Sequence, residues 1–139
     1  MPRVAAVTAV RAWVNAQRGT LVGPGTPIAQ GAFRTQVRST ADGAYLTLSR
    51  VGGTGDLFAE SPADRARISA SIFAGTDEAA EAAAVAYANA IEALAGRPAA
   101  MGDARCLVAD NITGPLLVDN HDNDREQYHY VVDCDVYLV

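Results

Sequence analysis

The stretch Arg67-Ile-Ser-Ala-Ser-Ile-Phe-Ala74, running into Gly75-Thr-Asp-Glu78, decides how the rest of the chain is read. Ile68, Ala70 and Ile72 fall on one side of an extended backbone, and Arg67, Ser69 and Ser71 on the other. A period of two with this contrast predicts a strand covered on one face. Gly75 breaks the pattern. Thr76 and Asp77 are suited to capping a helix, and Glu78 and Glu81 put negative charge in its first turns, where the helix dipole favours it. The spacing predicts a helix to about Ala95, with Ala84, Tyr87, Ile91 and Leu94 as its packing stripe and Glu81, Asn89 and Glu92 on another side. Its many alanines permit close approach to a sheet. Gly96 and Pro98 stop it.

Toward the N-terminus, Val7, Val10 and Val14 recur at helical spacing while Arg11, Asn15 and Arg18 gather on another face, predicting an amphipathic helix within Arg3 to Arg18. Gly19 ends it, and Val22-Gly-Pro-Gly-Thr-Pro27 reads as a connector. Phe33, Thr35 and Val37 alternate with Arg34, Gln36 and Arg38, a turn follows at Ala41-Asp-Gly43, and Tyr45 to Val51 is again extended. This reads as a β-hairpin. Gly52 to Pro62 is a loop that holds the apolar pair Leu57-Phe58 among glycines and acids, so the pair has something to bury.

Toward the C-terminus, strands are expected at Ala104 to Ile112, with a continuation near Leu116 to Val118, and at Gln127 to Leu138. In the last of these Tyr130, Val132, Cys134, Val136 and Leu138 share one face, the core face; His129, Val131, Asp133, Asp135 and Tyr137 share the other. The order α, β, β, β, α, β, β predicts an α+β fold: an antiparallel or mixed β-sheet of about five strands with two α-helices packed on one face.

The 139 residues suit one domain with a real core, and half of them are hydrophobic. The net charge of -5 opposes a phosphate-neutralising surface. All basic residues are Arg. Phosphate-loop, Schiff-base and pyridoxal-phosphate lysines are therefore excluded for this chain. No stretch reaches the roughly 20 apolar residues of a membrane span, and Arg11 interrupts the apolar start where a signal peptide would need continuity, so a soluble protein is expected. Cys106 and Cys134 read as buried thiols, with a disulfide open if their strands pair.

The candidate sites each have a plainer reading beside them. Asp133 and Asp135 fall on one strand face about 7 Å apart, a separation usable by a metal or acid/base pair, yet a solvated face or acidic channel lining suits them better. Asp119-Asn-His-Asp-Asn-Asp124 lacks the glycine and distal Glu of a calcium loop and reads as turn chemistry. His121 and His129 have no nucleophile motif near them, and Gly52-Gly-Thr-Gly55 is too short for a dinucleotide fingerprint. Asn111-Ile-Thr113 matches a glycosylation acceptor only in form. No catalytic residue, metal ligand or cofactor site is expected.

Four features in order then resemble the tail terminator, or tail completion, proteins of long-tailed bacteriophages. They are the helix Val4 to Gln17 ending in a Gly/Pro connector, the strand Tyr45-Leu-Thr-Leu-Ser-Arg-Val51 before Gly52-Gly53, the strand Arg67 to Gly75 running into the helix from Asp77, and the closing strand Tyr128 to Val139. The layout covers nearly the whole chain, read as one tail-terminator-like domain, 1–139. The resemblance implies a structural virion protein with no active site. It implies a homo-oligomeric ring, usually of six copies, at the head-proximal end of the tail, assembled in the host cytoplasm. Such a ring caps the major tail tube protein, ends tube polymerisation and meets the head-tail connector, while DNA passes without specific binding. On that expectation Leu57 and Phe58 touch a neighbouring subunit or the tube, and Asp133 and Asp135 face the lumen, where negative charge lets DNA slide by. A neighbouring neck or tube protein and, more distantly, a small enzyme or ligand-binding domain remain open.

Overall fold

The computed structural model describes residues 4–16, 32–33, 45–53, 63–94, 97–118 and 128–139. They form an α+β fold in the order α1 (Ala6–Ala16), β1 (Ala32–Phe33), β2 (Tyr45–Gly52), β3 (Asp64–Ala74), α2 (Asp77–Glu92), β4 (Ala99–Met101), β5 (Ala104–Val118) and β6 (Tyr128–Leu138). The sheet order is β1-β2-β3-β6-β5-β4. All pairings are antiparallel except β1 with β2.

The alternating residues of β3 and β6 act as expected. Ile68, Ala70 and Ile72 meet Cys134, Val132 and Tyr130 across the ladder, all buried. Both helices cover this face. Val7, Val10 and Val14 of α1 are buried, and so is Trp13, whose flat ring widens the stripe. Thr76 caps α2, its hydroxyl accepting from the Ala79 N–H at 3.2 Å, and the stripe Ala84, Tyr87, Ile91 and Leu94 is buried. The regular helix stops at Glu92, one turn before the expected end. Cys106 and Cys134 are free buried thiols, both raised by that burial, Cys134 to about 12.

Three expectations need correction. The hairpin expected of Phe33 to Arg38 with Tyr45 to Val51 is not formed at its described end: Ala32 and Phe33 run parallel to Leu46 and Thr47, where a hairpin pairs its strands antiparallel, and the rest of the expected first strand and turn lies outside the described residues. A short strand, β4, follows Pro98 and pairs with the start of β5. Finally, Ala104 to Val118 is one strand rather than two pieces, with three irregularities that each insert one residue against β6. Bulges hide a strand from alternation because each reverses which side chains face the core.

Candidate functional site

Among the described residues, the sheet face opposite α1 and α2 carries a cluster of polar side chains. Its centre is Asp135, 2% exposed, which accepts from Arg65 at 2.9 Å, Arg67 at 3.2 Å and Asn111 Nδ2 at 3.2 Å. Burial alone would raise this carboxyl, but the hydrogen bonds from Arg65, Asn111 and Arg67 outweigh it and hold it below its usual value. Arg67 reaches further, to the Asn111 carbonyl and the Thr113 hydroxyl, at 3.3 and 3.2 Å. Asn111 and Thr113 belong to the second irregular segment of β5, where Asn111 adopts a φ of 52°. Arg67 and Asp135 thus hold a backbone conformation that an L residue seldom takes unaided.

Asp133 and Asp135 do share the face expected of them, but they differ in environment. Asp135 presents almost no surface and is neutralised by two arginines, so it does not supply the free charge of an acidic lining. Asp133 is half-buried opposite Ser69 and Thr113, and its Oδ1 has no hydrogen-bond partner among the described residues. Further along, His129 stacks on Phe73 with ring centroids 4.3 Å apart and planes 17° from parallel. Burial lowers the imidazole below its ordinary value, and no nucleophile approaches its Nε2 among the described residues. Among those residues no three His, Cys, Asp or Glu side chains converge to hold a metal ion, and no helix is long and apolar enough to cross a membrane. Leu57, Phe58, His121 and the Asp119 to Asp124 segment lie outside the described residues.

Two apolar features were not legible beforehand. From Asp110 on, β5 is exposed or half-buried, and it ends in Leu116 and Leu117, 66% and 53% exposed, beside Tyr128. Leu117 is opposite Tyr130 on the helix side and Leu116 opposite Val131 on the other, so the strand end bares apolar side chains on both faces. Gly114 permits this course: its φ is 103°, and a Cβ there would collide with the Val131 carbonyl oxygen. At the other end of the same strand lies an apolar groove of about 520 Å³. Ala5, just before α1, with Thr8, Ala9 and Ala12 of α1, forms one wall; the turn from Met101 to Ala104, with Val139, forms the other.

No known family model, curated protein or solved structure matches this chain.

Proposed function

We propose that the chain is a tail terminator of a long-tailed phage: a structural protein that assembles as a ring, six copies by the resemblance, on the finished tail tube. The layout of helix, strands, helix and closing strands supports this reading. The observation that carries it beyond layout is the bare apolar end of the β5–β6 ribbon, on a sheet face whose buried carboxylate, Asp135, is already held by Arg65 and Arg67. Contiguous exposed apolar side chains on a sheet end are the mark of a surface completed by assembly.

In this role the ring ends polymerisation of the major tail tube protein and offers its far surface to the head-tail connector. Its place is the head-proximal end of the tail, reached from the host cytoplasm. Leu57 and Phe58 remain proposed contacts to a neighbour or the tube. The lumen role narrows to Asp133, because Asp135 is charge-balanced within its own chain. Asp133→Arg should slow DNA delivery without changing ring mass; unchanged infectivity with intact rings would remove Asp133 from that role.

Light scattering over a range of concentrations, alone and with purified tail-tube protein, tests the function. A ring-sized species, formed alone or only on the tube, supports it. A monomer indifferent to the tube protein overturns it and favours a second reading, a small ligand-binding domain, for which the groove beside α1 has a suitable volume.

A further inference from the structure

The bare strand end and the apolar groove lie at opposite ends of one strand. Ala104, in the groove wall, begins β5, and Leu117 stands next to its last residue. Counted along the β6 ladder, at about 3.3 Å per residue, the two features are roughly 30 Å apart. They cannot meet within one chain. Among the described residues nothing covers either, each is apolar, and one is exposed where the other is concave.

We infer that the groove receives the Leu116–Leu117 end of β5 from a second copy of this chain. The occupant follows from the chemistry of the walls. A small-molecule site orients its ligand with converging polar groups, whereas the polar side chains in this lining are those of Thr8 and Asp103, with small or aliphatic residues between them. Ala9 and Ala12 leave room on α1, and Ala5 just before it, for branched side chains to approach closely. Leu117 and Leu116 are the most exposed aliphatic residues of the described sheet apart from Val51, which stands by the opposite edge strand.

Different surfaces meet in such a contact, so each bound copy leaves one end free for the next. A head-to-tail interface of this kind closes into a ring or continues as a filament. That it closes rests on the ring reading above; that Leu116 and Leu117 occupy the groove does not. The Arg67–Asp135–Asn111 cluster gains a purpose here, because it fixes the bulge from which the strand end departs.

Cysteine pairing tests the contact directly. The variant Thr8→Cys/Leu117→Cys is oxidised mildly, in the presence of tail-tube protein if assembly requires it, and resolved without reductant. The native thiols are buried, and each single variant controls for them. A ladder of linked chains that neither single variant gives is the expected result. An oligomer that forms in full but yields no ladder overturns this contact and leaves the ring reading standing. A ladder that extends without a limiting size supports the contact and overturns closure. A chain that stays monomeric with and without tube protein, and gives no ladder, overturns both.

Charge provides the second arm. Leu117→Asp and Thr8→Arg, both at exposed positions, should each weaken association roughly tenfold or more, the loss expected when an anchor or its socket is made polar. Combining them should restore part of it, since the new charges face each other across the contact. Association unchanged by either substitution, with the fold intact by circular dichroism, would overturn the proposal.

Discussion

Asp64 and Asp135 are buried carboxylates on opposite faces of the same β3–β6 pair, and they are neutralised differently. Asp64, 1% exposed on the helix side, takes a two-pronged bond from Arg50 at 3.0 Å for each prong, and also accepts the Val4 N–H at 2.8 Å. It joins the entry to α1, β2 and β3 at one point. Asp135, on the open face, shares its charge among Arg65, Arg67 and Asn111. Asp64 takes both prongs of one guanidinium, whereas Asp135 takes single bonds from three separate side chains. Loss of Arg50 removes two charge-assisted bonds from Asp64 at once, whereas loss of any one donor at Asp135 removes one, so the first should be felt more.

Arg50→Ala is the sharpest way to break this contrast. It leaves the Asp64 carboxylate buried without its guanidinium and should lower unfolding stability by about 3–5 kcal/mol in urea titrations. Arg67→Ala should lower it by about 1.5–3 kcal/mol, since Arg65 and Asn111 still reach Asp135. If Arg67→Ala proved the costlier of the two, the overlap at Asp135 would not be protective and the contrast would fail.

Acid titration sharpens the same point. The folded Asp135 carboxyl lies below its usual value, so its contribution is complete above the unfolded value near 4 and is lost as pH falls through the folded one. Stability measured from pH 6 to pH 2 should fall less steeply in Asp135→Asn than in the parent. His129, lowered by burial, acts in a higher window: stability should decline as pH falls from about 6.5 toward its folded value. Replacing it with Phe, which can keep the stack on Phe73, should flatten that segment of the curve alone.

The smallest effect belongs to the bare end of the ribbon. Leu117→Asp should change unfolding stability by no more than about 0.5 kcal/mol, the range of substitutions away from packed features. A larger loss in dilute solution, where copies are separate, would mean that Leu117 packs within its own chain.

The covered face was legible because a period of two or of 3.6 records which side chains meet an apolar neighbour. Ile68 to Ile72, Tyr130 to Leu138 and the stripe of α2 show it plainly, as does the capping Thr76. The open face was legible only in part: Asp133 and Asp135 were placed together, but their opposite environments depend on Arg65, Arg67 and Asn111, which lie 70, 68 and 24 residues away from Asp135 along the chain in no fixed pattern. The groove and the bare strand end gave no local signal, since alanines on a helix and leucines after a proline are equally compatible with burial.

By itself, the sequence determined the α+β class, the core faces of β3, β6 and both helices, the burial of the two thiols and the exclusion of lysine chemistry. These follow from local periodicity and composition, which the chain carries wherever it is read. Tertiary structure alone decided the parallel pairing of β1, the bulges that make β5 one strand, the neutralisation of Asp135 and the placing of groove and strand end about 30 Å apart. Each of these depends on segments distant in sequence meeting in space, where register and burial set the charge and exposure that residue identity leaves open.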